Sequence, residues 1–544
     1  MIATPSRLLP GLIASLVLMT PTLNAAAQPP EQRPNIIYIL ADDMGLGDVS
    51  AYNPQSAWRT PHLDQLAREG VKFTDAHSSS AVCTPSRYSL LTGRYAWRSR
   101  LKSRVLFGYS PPLIEPGRLT VPALLRQHGY RTAMIGKWHL GIDWARQPAD
   151  TPAADYEAPV GPGPRAPEND PQLARHMDYH APFRNGPLSI GFDSFFGISA
   201  SLDMDPYVWL RDDRVDAPPA RLIEASKPPA MWRAGPIAEN FAHDDVQTRL
   251  TTEAVAFLRE QDSDQPFFLY LAYASPHTPI LPSKDFAGRT GSPYGDFCVQ
   301  LDHDVGEIMR ALESRGLSDN TLIIFTADNG CSPMANFAQL KTLGHNPNFG
   351  LRGAKADIFE GGHRVPFIAR WPRGIPAGTT SHALVAQQDL LATCAELLST
   401  ELPPDAGEDS VSHLALLRDP TQSHLGRSSL IHHSIHGAFA LRRGPWKFCA
   451  TPDSGGWSDP KPGQAPADAP PFQLFNLDDD RAETNNLYST ERALANELAL
   501  ELREQILRGR STPGVSQPNT GGNDWAELSW MKHLPPTATS SSVE

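Results

Sequence analysis

Positive charge is in deficit in this 544-residue chain: 48 lysines and arginines stand against 60 aspartates and glutamates, for a formal net charge of −12 at pH 7. That balance excludes a broad basic surface for nucleic acid, and no basic stripe, internal repeat or heptad pattern offsets it. An anionic ligand would have to be recruited by local cations, not by the field of the whole protein. Cysteine is scarce, five residues at 83, 298, 331, 394 and 449, and no Cys-His cluster accompanies them. After the first 27 residues no apolar run is long enough to cross a membrane.

The beginning of the chain has the layout of an export signal. Arg7 is followed by an apolar stretch over 8–19, too short for a spanning helix and broken by Pro10, and then by Ala25-Ala26-Ala27 as a small-residue cleavage site. Residues 1–27 are therefore expected to direct the protein to the periplasm or outside the cell, with no membrane span left after cleavage. In an oxidising compartment Cys298, Cys331, Cys394 and Cys449 could close up to two disulfides in any of three pairings, or remain buried thiols. A chain of this length can bury a large core and form more than one domain.

Four apolar runs, 36–41, 131–136, 267–272 and 321–326, end abruptly in polar residues: Asp42-Asp43, Lys137-Trp138-His139, Ser275-Pro276-His277 and Asp328-Asn329-Gly330. Runs that do not alternate and are rich in Ile, Leu, Phe and Tyr suit strands buried on both faces. Helical patterns over 61–69, 120–128, 245–260 and 297–315 lie between them. The fold class expected is α/β, a large, mostly parallel sheet sandwiched by helices. Ligand sites of such sheets lie beyond the carboxyl ends of the strands, so the four polar clusters should meet at one edge.

Asp42, Asp43, Asp328 and Asn329 offer only oxygen ligands. That donor set suits a hard divalent cation, with Ca²⁺ favoured over Mg²⁺ by a crowded shell built mostly by protein. Arg87, Lys137, His139, His277 and Lys355 are the cationic or titratable groups expected around it. Each alone reads as a solvated charge or a strand-end histidine. Together they could enclose a tetrahedral oxyanion ester whose charge must be neutralised as the leaving oxygen departs.

Cys83-Thr84-Pro85-Ser86-Arg87, followed by Leu91-Thr92-Gly93-Arg94, resembles the recognition motif of type I sulfatases. Further matching pieces are Gly136-Lys137-Trp138-His139-Leu140-Gly141, Gly191-Phe192-Asp193, Gly361-Gly362-His363-Arg364-Val365-Pro366, Leu474-Phe475-Asn476-Leu477 and Glu483-Thr484-Asn485-Asn486-Leu487. Over about 33–487 the chain is similar to the arylsulfatases and N-acetylgalactosamine-6-sulfatases, and through them to the alkaline phosphatase superfamily. The resemblance implies that a maturation enzyme oxidises Cys83 to formylglycine, and that Asp42, Asp43, Asp328, Asn329 and modified residue 83 bind Ca²⁺. It also implies that Arg87 and Lys137 hold the formylglycine and sulfate oxygens, that His277 with Lys355 serves the leaving oxygen, and that His139 serves sulfate release. The expected substrate is a sulfated small molecule or glycan. Two alternatives are a phosphate or phosphonate ester hydrolase with the same site, and a protein that binds sulfated glycans without turnover.

The remainder of the chain is less patterned. Residues 145–187, rich in Pro, Asp and Ala, read as a long loop near the catalytic edge, with His176, Asp178, His180 and Arg184 as candidate substrate contacts, joined by Asp203 and Asp205. The catalytic domain is expected over 28–400. Short strand-like pieces at 430–433, 438–442 and 446–448, then a helix over 490–507, predict a smaller α+β domain with an antiparallel sheet over 401–509. His432, His433 and His436 could ligate a metal by type, but strand alternation would split them between faces. Residues 510–544 are expected to be loosely ordered unless Trp525 and Trp530 dock them.

Overall fold

The computed structural model describes residues 1–2, 33–148 and 171–534. Most of the expected export signal, half of the expected loop and the last ten residues lie outside that description. Met1 and Ile2, in the segment Met1–Arg33, are exposed, and Pro34–Glu544 forms the compact unit.

Ten strands build the main sheet: β1 (Asn35–Asp42), β2 (Val71–His77), β3 (Arg131–Lys137), β4 (Ser194–Ile198), β5 (Leu210–Arg211), β6 (Arg214–Val215), β9 (Phe267–Pro276), β10 (Thr321–Ala327), β11 (Phe367–Arg370) and β12 (Thr379–Ala386). A two-stranded ribbon, β7 (Pro219–Ile223) and β8 (Gly235–Ala238), lies apart from it. The sheet order is β12-β2-β11-β10-β1-β9-β3-β4-β5-β6. Only β11 and β5 run against the rest, so the sheet is mostly parallel, as expected. The four apolar runs read from sequence are its four adjacent central strands, β10-β1-β9-β3. Every residue of β1, β9 and β10 is buried, which explains why their sequences do not alternate.

The helices α1 (Pro61–Glu69), α2 (Cys83–Thr92), α3 (Val121–Gln127), α4 (Val246–Arg259) and α5 (Pro293–Ser314) fill the connections. Two groups cover the sheet, α1 and α4 against α5, and α2 and α3 with the helix Leu390–Leu397. α5 starts four residues before the apolar periodicity predicts because Pro293 takes its first turn, where a missing N–H costs nothing. Gly136 marks a close approach in the sheet: its φ is +121°, and a Cβ there would meet Ala272 O of β9 at 1.9 Å.

The second sheet is antiparallel, β13 (Ser429–His433), β14 (Phe439–Arg443), β15 (Trp446–Cys449) and β16 (Gln473–Asn476), in that spatial order. The helix Arg492–Leu507 buries Ala495, Leu498, Ala499, Leu502 and Ile506 in a core shared with Leu430, Leu441 and Phe448. Loose order does not describe residues 510–534. Leu528 and Trp530 enter that same core, and buried Arg98 reaches Asn519 Oδ1 at 3.3 Å. The two tryptophans supply the reason, since Trp530 is buried and Trp525 packs partly buried beside it.

All five cysteines are free and buried, so none of the three disulfide pairings forms. Strand alternation divides the histidines as expected. His432 stacks on His363 at 3.7 Å between ring centroids, His433 turns against Phe439, and His436 lies beyond the strand.

Candidate active site

The carboxyl ends of β10, β1, β9 and β3 bring Asp328, Asp42, His277 and Lys137 to one edge of the sheet. The register between β1 and β9 shifts after Leu40 and resumes with Asp42 opposite Pro276. Just past the strand ends, Asp43 and His139 take left-handed backbone conformations, φ +67° and +57°. Non-glycine residues adopt these at a cost, and such outliers concentrate where side-chain direction matters.

Cys83 begins α2, and Arg87 follows one turn later on the same helix face. Burial pushes the Cys83 thiol up to about 11, so at neutral pH it is neither a thiolate nor a ready nucleophile. The fully buried Arg87 guanidinium donates from Nε and Nη2 to Asp328 Oδ2 at 3.0 and 2.8 Å, and from Nη1 to Lys137 O at 2.9 Å. Lys137 Nζ lies 2.5 Å from Asp42 Oδ2 and 3.2 Å from Ser201 Oγ. Lys355 Nζ reaches Asp43 Oδ1 at 2.5 Å. Its loop is fixed by two backbone bonds, Lys355 N to Cys331 O at 2.9 Å and Ala356 N to Ala81 O at 2.8 Å.

Three carboxylates, Asp42, Asp43 and Asp328, thus face three cations, Arg87, Lys137 and Lys355. Burial pushes the Asp42 carboxyl up, but Lys137, His277 and Arg87 outweigh it and hold the group far below its ordinary range. Asp328 is pushed the other way, to about 7, by burial and by the neighbouring charge of Asp42.

Asn329 donates from Nδ2 to Asp43 Oδ1 at 2.8 Å. Two acceptors in the cluster, Asp42 Oδ1 and Asn329 Oδ1, are buried without a hydrogen-bond partner. Ligand atoms of Asp42, Asp43 and Asp328 all lie within 4.8 Å of one another. Buried acceptors left unpaired beside clustered carboxylates are the arrangement a hard cation satisfies.

The two histidines differ in how their rings are held. His139 donates from Nε2 to Leu106 O at 2.8 Å, leaving Nδ1 buried and unpaired. Burial, with Lys137 and Arg87 nearby, holds it neutral well below the usual imidazole range. That tautomer gives Nδ1 a free lone pair for accepting a proton. The His277 Nδ1–H donates to Thr278 O at 2.6 Å, and Nε2 lies 3.6 Å from Asp43 Oδ2. Burial and Lys355 lower its proton affinity also.

A cavity of about 580 Å³ opens in front of Cys83, His277 and Lys355, with Ser201, Asp203, Arg233, Arg104, His436 and Trp457 among its lining residues. Asp203, a candidate substrate contact from sequence, is among them and is tied to Arg233 in an ion pair. His176, His180 and Arg184 are exposed instead, and Asp178 accepts from His180 N at 3.0 Å. None of these four loop residues, nor Asp205, lines the cavity. Ser201 carried a signal that went unused: it lies three residues past β4, a fifth apolar run ending in polar residues. Arg104, Arg233 and Trp457 have no such signal, because they arrive from loops.

Comparison with known proteins gives this edge a context. Residues 34–400 match the family described as Sulfatase. The N-acetylgalactosamine-6-O-sulfatase of Bacteroides thetaiotaomicron is 32% identical over 550 residues, covering 92% of this chain and 99% of the relative. Arylsulfatase A of Homo sapiens is 33% identical over 535 residues, covering 93% of each. A solved Bacteroides thetaiotaomicron structure described under metabolism of multiple glycosaminoglycans superposes with a TM-score of 0.71 at 31% identity, over 87% of this chain and 99% of that one.

Proposed function

The chain belongs to the sulfatase family, is thereby a sulfuric ester hydrolase with an alkaline phosphatase-like fold, and we propose that its substrate is a sulfated carbohydrate cleaved by a formylglycine made from Cys83. The observation that carries this is the meeting of Cys83, Asp42 and His277, whose ligand atoms lie within 4.8 Å of one another, with Cys83 and His277 lining the cavity. A thiol held near 11 would be a poor nucleophile there. Even a successful attack would leave a thiosulfate ester with no easy exit. A hydrated aldehyde carries two hydroxyls on one carbon, one to attack and one to expel.

In the first step one hydroxyl of residue 83 forms a bond to sulfur in line with the ester oxygen, and the bond from sulfur to that oxygen breaks. The proton of the attacking hydroxyl passes to Asp328. Lys355 and His277, facing the cavity beside the leaving oxygen, neutralise and protonate it; the bound sulfate's charge raises the proton affinity that burial has lowered in His277. Arg87 and Lys137 hold the formylglycine and sulfate oxygens. In the second step His139 Nδ1 takes the proton of the remaining hydroxyl, the carbon–oxygen bond to sulfate breaks, and the aldehyde returns, to be rehydrated by water.

Asp42, Asp43, Asp328 and Asn329, with an oxygen of modified residue 83, would hold a Ca²⁺, which supplies positive charge against the nucleophilic oxygen and the sulfate. The protein is proposed to be exported by residues 1–27 and to need a formylglycine-generating enzyme. Among the described residues no helix is long and apolar enough to cross a membrane.

Matched aryl sulfate and aryl phosphate esters, together with an array of defined sulfated saccharides, test the reading. Sulfate esters should be preferred, with the highest kcat/KM on a saccharide. His277→Ala should lose most on esters of poorly acidic alcohols, while His139→Ala should release a burst of phenol and then stall. A preference for phosphate, or one leaving-group dependence shared by both variants without a burst, would contradict it.

A further inference from the structure

The cavity in front of Cys83 has a wall that sulfate transfer does not use, formed by Arg104, His436 and Trp457. Its charges are unequally matched. Lys355 is neutralised by Asp43 at 2.5 Å, and Arg233 is neutralised by Asp203. Arg104 is exposed, and among the described residues its side chain has no ion pair or hydrogen bond. In a protein of net charge −12, an unpaired cation at the mouth of an anion-consuming cavity acts locally, where the overall field is unfavourable.

The backbone of Arg104 is built to hold that position. Its φ is +67°, in the left-handed region that an arginine seldom occupies. Its N–H donates to Ile435 O at 2.7 Å, which fastens it to the connection between β13 and β14. His436 follows in that connection, and burial together with the Arg104 charge lowers its proton affinity, in keeping with a guanidinium close by.

Trp457, 40% exposed, presents an indole to the same cavity, and its backbone N is held by buried Asp357 Oδ1 at 2.7 Å. A fixed aromatic face beside a free cation suits a sugar ring that carries an anion. Met204, Met231 and Met334 complete an adaptable apolar lining.

We propose that Arg104, flanked by His436 and Trp457, is a specificity determinant that binds a second anionic group, a carboxylate or a sulfate, on the sugar next to the one that loses its sulfate. The inference rests on the sulfatase reading above and narrows its substrate to a polyanionic saccharide. Arg104 takes no part in bond breaking; it anchors the part of the substrate that does not react, so its contribution should appear in KM more than in kcat.

The test compares 4-nitrophenyl sulfate, 6-O-sulfated N-acetylgalactosamine, and disaccharides of that sugar whose second unit is a uronic acid, a sulfated sugar or a neutral sugar. Arg104→Asn removes the charge with a residue that tolerates the left-handed conformation, and Arg104→Lys retains it. Wild-type protein should favour the anionic disaccharides over the neutral one. Arg104→Asn should raise KM on them by roughly ten- to a hundredfold, lose far less on the other esters, and show a weaker salt dependence. Arg104→Lys should recover part of the loss. The two anionic arms show whether the site takes carboxylate, sulfate or both.

Equal losses on every ester, or no loss on the anionic disaccharides, would overturn the proposal. Calorimetric binding of the desulfated anionic disaccharides to wild type and Arg104→Asn decides it without turnover. Absence of turnover on every sulfate ester by matured protein would then count against the sulfatase reading, while the calorimetric difference still judges the anion site.

Discussion

Two buried clusters in this molecule have the same charge inventory and opposite character. At the catalytic edge Asp42, Asp43 and Asp328 face Arg87, Lys137 and Lys355. Between β2 and the antiparallel sheet, Asp75, Glu360 and Glu483 face Arg364, Arg442 and Lys447. The second cluster also holds His77, His363 and His432, and by residue type and proximity of ligand atoms it passes for a metal site as readily as the first.

Geometry separates them. The catalytic cluster leaves the acceptors Asp42 Oδ1 and Asn329 Oδ1 unpaired, and a cavity opens beside it. The second cluster is closed around Lys447, whose Nζ lies 3.0 Å from Glu360 Oε1, 2.8 Å from Glu483 Oε1 and 3.1 Å from His363 Nε2. A cation is already in place among these groups. Arg442 Nη1 and both His432 ring nitrogens lack hydrogen-bond partners, and the cavity beside this cluster is lined by Asp75, Arg364 and Arg442 but by none of His77, Glu360, His363 and His432. The rings of His363 and His432 stack at 3.7 Å with only 13° between their planes. One ion cannot lie in both ring planes, so the two imidazoles cannot ligate it together. Ligand-type residues at close range, even with unpaired ring nitrogens among them, are thus insufficient; the lysine shared by Glu360, Glu483 and His363 closes one cluster, whereas the other borders the cavity lined by Cys83, His277 and Lys355.

The largest expected effect lies at the catalytic edge. Cys83→Ala should reduce turnover by roughly 10⁴-fold or more while leaving the unfolding midpoint nearly unchanged. Peptide mass spectrometry of active protein should find the aldehyde or its hydrate at position 83. Full activity from protein carrying only the unmodified thiol would remove the formylglycine mechanism. Next comes the metal. Chelation should inactivate, Ca²⁺ should restore activity most readily, and Asp42→Ala or Asp328→Ala should cost roughly 10²- to 10³-fold in kcat together with the bound ion. Elemental analysis should find one hard cation per chain in both wild type and His432→Ala. A transition metal that disappears in His432→Ala would invert the comparison.

The second cluster should respond in stability instead. Lys447→Ala leaves Glu360 and Glu483 buried without their shared cation, at a cost of about 3–5 kcal/mol in denaturant unfolding, while kcat per folded molecule stays near wild type. A smaller effect is expected from imidazoles that burial keeps neutral. His433 is lowered to about 3 and His413 to about 4, both by burial first. Each has a folded pKa below its unfolded value, so the unfolded chain binds more protons as pH falls. Their contribution is therefore intact above about pH 6.5 and is lost on acidification toward 3 and 4 respectively, by at most about 1.4 kcal/mol per pH unit for each ring. His433→Leu should flatten the fall in stability between pH 6.5 and 4 relative to wild type. An unchanged slope would show that His433 is solvated in the folded state.

Much of the catalytic edge was legible because strands buried on both faces must be apolar throughout, and a buried run that stops at charged residues has to stop for a reason. Asp42, His277, Lys137 and Asp328 were found in this way. β11, the four residues directly after Gly361-Gly362-His363-Arg364-Val365-Pro366, is too short to show a period. β5 and β6, two residues each, left no trace at all. The substrate wall was illegible for another reason. Arg104, Arg233 and Trp457 come from three loops separated by more than a hundred residues, and their neighbourhood is created only when the antiparallel sheet docks beside α2, through bonds such as Ala81 N to His433 O at 2.9 Å.

By itself the sequence determined the α/β class, the four central strands and the oxygen-bearing side chains at their ends, because these follow from local runs, period and residue chemistry. Tertiary structure decided the order of the strands, the free state of all five cysteines, the closing of one charged cluster around Lys447 and the opening of the other onto a cavity. Those outcomes depend on which distant segments share a surface and on which buried atoms are left without a partner, and both are set by packing across the whole chain.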